Sequence, residues 1–562
     1  MRKLYTIFAS IALVFGTWHH ASSQSVDFGG TVMNNDILGW GDMYSLTFTS
    51  HNYGTARSMG MGNAFTALGA DMVSATLNPA GIGMYVGSDV SLSPIMQFTK
   101  SPTSNSDPVY EGVAKRDQEY KDHTERFGFS SLGGVFSIYR GTGVLTNFNM
   151  GVVYNRIADF NQSYRSGSYG NPYTQSMANV FCTLSNVDDL KTLPDGKMPF
   201  GNDPYYWGAV LAYKNGLTNK DDQGWFIDRI GNTATIDQFS ATETRGSVGE
   251  YDISFGFNFI DRIYVGATIG FQSVDYRRNV YYGEDYIYDE YPSGSDMPYQ
   301  LEYMNYLQRT ELTGMGINFK VGVTARPVDW LRLGVAYHSP TYYTLSLFYD
   351  AEMWSRTFSA GDNPDGYDLG PFGYMNDSAY SGIWEDSGDY AWRFRSPSRL
   401  LFGGAVTLLK RIIISADYER SWYQSTRLRR SPIAGLSYTD IMKDAFKGGN
   451  TVRVGAEAYV LPFLALRAGY IWSGSTLRDD YADAIFTHPI PTVSSYITCG
   501  VGIKFSQSVY LDLAYQYNST KSSSYMSFYA VDSVDAMQNI ESRLFNTTTD
   551  RHIAVVTLGF RF

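Results

Sequence analysis

Cysteine is nearly absent: 562 residues contain only Cys182 and Cys499. That excludes a disulfide scaffold or a cysteine-rich zinc site and permits at most one bridge. An excess of positive charge is also missing. The formal charge is −11 with no basic run, which excludes a nucleic-acid partner, because a phosphate-binding surface needs surplus lysine and arginine. Histidine is scarce, with His51, His123, His338, His488 and His552 beyond the first 23 residues. Gly-x-Ser-x-Gly, His-Glu-x-x-His and phosphate-loop patterns do not occur, and the neighbours His338 and Ser339 point to opposite faces of any strand. No catalytic group, cofactor or nucleotide site is therefore expected. Asp362, Asn363, Asp365 and Asp368 offer oxygens but lack the spacing and terminal glutamate of a calcium loop, and read as a solvated acidic loop.

Long hydrophobic runs are missing too. After Gln24 no apolar stretch reaches the roughly 18–20 residues a spanning helix needs, although 44% of the chain is hydrophobic and 16% aromatic. Mean hydropathy is −0.23. Any crossing of a membrane must be made by strands. Residues 1–23 read as a secretory signal, with Arg2 and Lys3 before an apolar stretch from Leu4 to Gly16 and small residues Ala21-Ser22-Ser23 ahead of Gln24. Export follows from that reading.

What is abundant fits a barrel wall: Gly 55, Tyr 45 and Phe 33 point to strands, tight turns and aromatic belts. Apolar and small-or-polar residues alternate repeatedly. Ala554, Val556, Leu558, Phe560 and Phe562 lie on one face against Arg551, Thr557, Gly559 and Arg561 on the other. Val509, Leu511, Leu513, Tyr515 and Tyr517 oppose Ser508, Asp512, Ala514 and Gln516. Such alternation turns one face to lipid and one to a wet lumen. About fourteen segments behave this way, near 88–98, 127–139, 144–160, 249–259, 262–276, 309–326, 330–347, 390–409, 411–426, 447–460, 463–472, 494–505, 508–519 and 551–562. Short and long connections alternate between them, as periplasmic turns and extracellular loops do in outer-membrane barrels. The long connection 161–248 is expected to hold local structure, with a helical turn at Trp225–Ile230. The fold class is thus all-β: a transmembrane antiparallel barrel of about fourteen strands, residues 88–562, in the outer membrane of a Gram-negative bacterium.

Strand parity places Arg393, Arg395, Arg399, Arg453, Glu457 and Arg467 on the lumen side. Inward arginines are candidates to hold a ligand carboxylate, set against a bracing role in which Glu457 and Arg467 pair across a tight 461–462 turn. Tyr342, Tyr343, Phe348, Tyr349 and Trp354 read either as an apolar capture groove or as part of the interfacial girdle. Residues 24–87 do not alternate. They contain Gly60-Met61-Gly62-Asn63-Ala64-Phe65-Thr66-Ala67 and Asn78-Pro79-Ala80, small residues and a turn that suit a compact plug inside a pore.

These two runs, with Gly334–Pro340, Ser396-Pro397-Ser398-Arg399 through Asp417-Tyr418, Val454-Gly455-Ala456-Glu457, Leu466–Tyr470 and the closing strands, resemble the FadL/TodX family of outer-membrane transporters for long-chain fatty acids and aromatic hydrocarbons. The resemblance implies a fourteen-stranded barrel closed by an N-terminal hatch carrying Gly60, Gly62, Asn78, Pro79 and Ala80. It further implies capture of a hydrophobic ligand among the outer loops, diffusive passage, and sideways exit into the bilayer at a kink in the third strand, where Gly151 is the candidate gate. Expected partners are a hydrophobic small molecule, outer-membrane lipid and lipopolysaccharide, and the barrel-insertion machinery, around a monomer without cofactor. Two alternatives stand beside this: a non-transporting scaffold of a secretion or surface-assembly machine, and a receptor for haem or another amphipathic ligand.

Overall fold

A computed structural model describes residues 32–33, 52–105, 120–187, 207–230, 234–288, 299–359, 363–371, 392–429, 438–478, 489–531 and 539–562. The expected signal segment 1–23, most of 24–51, and Asp362 of the acidic stretch lie outside the described residues.

Fourteen strands close into an antiparallel barrel. They are β1 Asp89–Asn105, β2 Tyr120–Arg140, β3 Leu145–Asp159, β4 Ala234–Phe259, β5 Ile263–Tyr288, β6 Tyr299–Val328 and β7 Leu331–His338, followed by β8 Arg399–Leu408, β9 Ile412–Ser421, β10 Gly449–Leu461, β11 Leu464–Ser473, β12 Pro491–Lys504, β13 Val509–Ser522 and β14 Phe545–Arg561. Each pairs with the next, and β14 returns to β1 in the register Asp89↔Arg561 through Asn105↔Phe545. Ser88 and Phe562 exchange backbone hydrogen bonds of 3.0 Å each, fastening the first strand to the last residue. Closure removes the unpaired edges that hydrocarbon does not tolerate.

Period-two alternation sorts the side chains. All fourteen strands expose large apolar or aromatic residues outward, among them Phe127 (65%), Met315 (62%) and Ile497 (61%). Their lumen-facing neighbours are polar and buried. A belt of this extent is far larger than a water-soluble monomer leaves uncovered, and lipid is the solvent that suits it. No helix among the described residues is long and apolar enough to cross a membrane. Strand ends on one side are joined by tight turns, with Ile260-Asp261 and Leu409-Lys410 both at positive φ, the pair of left-handed residues a two-residue type I′ hairpin requires.

On the other side the strands run far beyond the ~9–11 residues a crossing needs: β4 and β5 have 26 residues each and β6 has 30. Segments expected as loops near 277–308 and 348–389 are therefore in part strand, since Tyr299–Val328 pairs with Tyr342–Ser359 above the membrane level. Within 161–248 the expected helical turn at Trp225–Ile230 is instead a strand, Phe226–Asp228, paired with Thr218–Lys220. Alternating burial of Phe226 between half-exposed neighbours suits a hairpin. The helices lie elsewhere, in Met177–Val187 and Trp207–Lys214. They bury Phe181, Leu184, Val210 and Leu211 against Tyr282, Tyr306 and Phe528 to give an apolar-cored dome on the outer arms. Glu284 of β5 anchors it: the carboxylate accepts from Met177 N (3.0 Å), Ser176 Oγ (2.5 Å), Tyr282 OH (2.6 Å) and Tyr286 OH (2.8 Å), placing negative charge at the positive end of the first helix.

Cys182 is buried in that first helix and Cys499 faces outward from β12, both as free thiols. Burial pushes the Cys182 thiol well above its ordinary value.

Candidate functional site

Residues 52–87 lie inside the barrel. Two short helices, Ala56–Gly60 and Ser74–Leu77, and a 3-10 turn, Pro79–Met84, make a compact body. Thr55 caps the first helix, accepting from Ser58 N at 3.1 Å. Asn78 sets the turn, because its side chain accepts from Ala80 N at 3.1 Å and donates to Thr66 O (2.5 Å) and Thr324 Oγ1 (3.1 Å). Wall and lumenal segment touch backbone to backbone. At Gly256, Gly266, Gly322, Gly334, Gly403, Gly455 and Gly469, on seven strands, a Cβ would come within 3.0 Å of residues 61–83. Other strands reach in with polar groups: Thr557 accepts from Ala56 N at 2.7 Å, Asn149 donates to Ile82 O and Tyr85 O at 2.9 Å each, and Asp417 accepts from Thr66 N at 2.8 Å. Gly60 and Gly62 rest beside β12, where Thr498 donates to Gly60 O and accepts from Gly62 N, both 3.1 Å. Asp71 is buried against Thr55 and Val73 N, and burial raises its carboxyl above the usual range, opposed by the nearby Arg57.

The inward charges form closed networks. Glu457 receives Arg57 (3.1 Å) and Arg467 (2.8 Å), and Arg467 also reaches Asp512 at 2.6 Å. Glu419 receives Arg453 (2.6 Å) and Arg399 (3.4 Å). Lys320 bridges Glu250 (2.6 Å) and Asp252 (2.8 Å). Arg399, Arg453 and Arg467 are thus inward, as parity predicts, and engaged with carboxylates. Arg393 is not inward: it is exposed, and Phe394 takes the buried position, stacked on Tyr343. Residues 396–398 interrupt the strand between Trp392–Arg395 and β8, so alternation counted across Ser396-Pro397-Ser398 fails. Arg395 is half-buried and donates to Ser425 O at 2.7 Å. The aromatic set beyond β7 does not form one groove, since Tyr342 is exposed while Tyr343 is inward.

Two cavities flank the lumenal segment. One of about 290 Å³ opens at the turn end, lined by Arg57, Tyr85, Tyr459, Arg467, Lys504 and Tyr510 among others. The second, about 120 Å³, lies toward the outer arms between Tyr53 of the lumenal segment, the end of β3, β5, and the inner faces of β12, β13 and β14. Tyr276, Tyr496, Ile157, Phe160, Gln516 and Arg551 all face it.

Beside this cavity the wall is unzipped. The β2–β3 pairing runs from Arg140↔Asn147 to Ser131↔Asn155 and stops. Beyond it β2 pairs with β1 alone, while β3 turns inward: residues 155–158 are buried on both faces, and the chain continues as Gln162–Pro172 against β4. Gly246, at φ +113°, lies opposite the bend and gives its carbonyl to Phe160 N at 3.0 Å. Side chains of β2 bridge the seam: Arg126 donates to Asn161, Asp122 meets Arg165 (2.8 Å), and the Thr124 and Ser163 hydroxyls lie 3.4 Å apart. Behind them Asp159 accepts from Gln97 of β1 (2.9 Å) and from Arg156 of its own strand (2.7 Å). Arg156 fills the space where Gly128 has no side chain. Gly151 is not at this break. It sits in continuous ladder between Val135 and Ser254, and a Cβ there would meet ordinary contacts at 3.4–3.7 Å. The bend five residues further on, at Arg156–Asn161, carried no glycine to mark it. Gln516 and Arg551 are legible as lumen-facing by parity, but nothing in the sequence distinguishes them from the other inward polar residues.

No protein-family model matches the chain, and no curated protein matches its sequence. Solved structures do resemble it. The Pseudomonas putida toluene transporter TodX is 14% identical over 91% of this chain and 99% of its own, with a TM-score of 0.48. The CymD monoaromatic hydrocarbon channel is 12% identical over 92% and 99%, TM-score 0.45. A Pseudomonas aeruginosa FadL homologue is 12% identical over 92% and 98%, TM-score 0.43. These similar structures are transport channels rather than enzymes.

Proposed function

We propose that this barrel takes hydrophobic small molecules across an outer membrane by diffusion, with residues 24–87 as a fixed hatch and with exit sideways through the β2–β3 seam. The observation that carries the reading is a blocked axis beside an unpaired stretch of wall. Residues 61–83 press on glycines of seven strands, so an axial path requires breaking many close contacts at once. The outer cavity, by contrast, is bounded by the very residues, Ile157 to Phe160, that leave the wall. An apolar solute released there enters bilayer hydrocarbon directly and avoids water, which saves about 0.8 kcal/mol per CH₂. In this reading the Arg126–Asn161, Asp122–Arg165 and Thr124–Ser163 side-chain bridges hold the seam shut at rest. The protein acts as a monomer among lipid and lipopolysaccharide after export by residues 1–23 and placement by the barrel-insertion machinery of a Gram-negative cell. The hatch residues Gly60, Gly62, Asn78, Pro79 and Ala80 serve to seat the plug, and the gate moves from Gly151 to Arg156–Asn161.

A disulfide across the seam tests this. In a Cys182→Ser, Cys499→Ser background, Thr124→Cys with Ser163→Cys replaces two hydroxyls already 3.4 Å apart. Toluene, named for the similar TodX, is the first solute to follow into proteoliposomes. Uptake is expected to stop on oxidation and return on reduction. Undiminished uptake by the oxidised, fully cross-linked barrel overturns the lateral route.

A further inference from the structure

We infer that the outer cavity is a binding site for a compact aromatic monocarboxylate bearing a hydroxyl group, rather than for an unsubstituted hydrocarbon or a long acyl chain. The inference rests on the channel reading above and names its cargo. Among the described residues, the inward arginines of β8, β10 and β11 are paired with carboxylates, whereas Arg551 of β14 has none: its bond is from Nη2 to Gln162 Oε1 at 3.3 Å, and its buried Nε has no partner. Asp159, the carboxylate at the cavity, is already held by Arg156, Gln97 and Asn161. Arg551 therefore faces the cavity without a carboxylate of the described residues to meet it, and a guanidinium in such a position matches a ligand carboxylate in geometry as well as charge.

A second group points to the same ligand. Gln516 is 1% exposed, lines the cavity, and its Oε1 has no hydrogen-bond partner. An unmet buried acceptor is costly, and a ligand hydroxyl would satisfy it. Gln516 lies opposite Ile553 and Asn518 opposite Arg551 on adjacent strands, so the cation and the free acceptor are diagonal neighbours on one panel of wall, roughly 7–8 Å apart at Cα. That separation suits groups at the two ends of one ring. Tyr276, Tyr496 and Phe160 supply aromatic walls, and about 120 Å³ is on the scale of cavities that admit a single benzene ring. A long chain does not fit inside, and a bare hydrocarbon leaves both polar groups unmet.

Equilibrium dialysis of the purified barrel against labelled 4-hydroxybenzoate, benzoate and toluene separates the contributions. Wild type is expected to bind in that order of decreasing affinity, with about tenfold or more between benzoate and toluene. Arg551→Gln is expected to erase the preference for benzoate over toluene, and Arg551→Lys to keep part of it. Gln516→Leu is expected to erase the preference for 4-hydroxybenzoate over benzoate while leaving benzoate itself bound. Arg393→Gln, an exposed position, is the control for folding and should match wild type. Equal binding of the three ligands, or preferences unchanged in both variants, overturns the site. If toluene is taken up but the aromatic acids do not bind, this inference fails and the channel stands. If the acids bind as expected but nothing is taken up, the site stands and the channel reading fails.

Discussion

Gly322 of β6 and Asn78 of the lumenal segment compete for one space: a methyl group on Gly322 would overlap Asn78 Oδ1, the atom that accepts from Ala80 N and sets the turn. The asparagine can hold that turn only because the strand beside it has no side chain. The same logic repeats at Gly266 against Pro79 and Gly334 against Thr66, so the inner surface of the wall is shaped as a socket for this one segment.

Gly322→Val should therefore unseat the segment while leaving the wall intact, since the outward face and the strand register are unaffected. Forcing extra methyl groups into a packed site costs about 1–3 kcal/mol. The expected result is a lower melting temperature together with increased ion conductance in planar bilayers, as the plug loosens. Wild-type conductance at a reduced melting temperature would mean that the segment adapts without opening a path.

Much of this architecture is legible in the sequence. Period-two alternation marks a strand wherever one face meets lipid and the other meets polar lumen, so the membrane-level parts of all fourteen strands, including Val509–Tyr517 and Ile553–Phe562, stand out. The outer arms did not, because at Leu301–Gln308 neither face belongs to the apolar outer belt and the contrast that reveals a strand disappears. Charge partners were visible only where a tight turn fixed the register, as for Glu457 and Arg467 across the turn expected at 461–462, which the structure places one residue on, at Pro462-Phe463. Arg393 was misplaced because parity does not survive the Ser396–Ser398 interruption. The seam was illegible because it is a loss of pairing between strands, which no single strand's sequence records.

Lys320 is buried between Glu250 and Asp252, with side-chain exposures of 2%, 0% and 0%. Lys320→Met leaves two carboxylates without their cation. Removing one partner of a buried ionic cluster costs about 3–5 kcal/mol, so a large fall in melting temperature is expected. Adding Glu250→Gln and Asp252→Asn should recover most of it, because the orphaned charges are gone. Failure of the triple variant to recover would show that the cluster contributes attraction beyond mutual neutralisation.

Glu284 of β5 accepts from five donors, two of them, Ser176 and the Met177 amide, from the dome, two, Tyr282 and Tyr286, from its own strand, and one, Gln238 Nε2 at 3.1 Å, from β4. Glu284→Ala strands the Met177 amide and three hydroxyls in an apolar surround. Hydrogen bonds to a charged group are worth about 1.5–3 kcal/mol each at most, and they are not additive here. The dome helices should become protease-sensitive while the barrel below keeps its resistance and its heat-modifiable migration. Protection of both regions in the variant would assign the dome's stability to its apolar core alone.

Asp71 gives a pH signature with a defined sign. Burial raises its carboxyl above the unfolded value, with Arg57 and the Thr55 and Val73 bonds opposing only in part. Below the unfolded value of about 3.9 the acid is protonated in both states and contributes nothing to the pH dependence. As pH rises from there through the folded value, the unfolded chain releases its proton first, so stability falls across that window and the deficit persists above it. Asp71→Asn keeps an acceptor for Val73 N and Thr55 while removing the charge. The variant should melt higher than wild type at neutral pH, and the gap should close as pH falls below the carboxylate range. A variant that melts lower at neutral pH would instead mean that the charge of Asp71 is needed to hold Arg57, and that the attraction outweighs the burial.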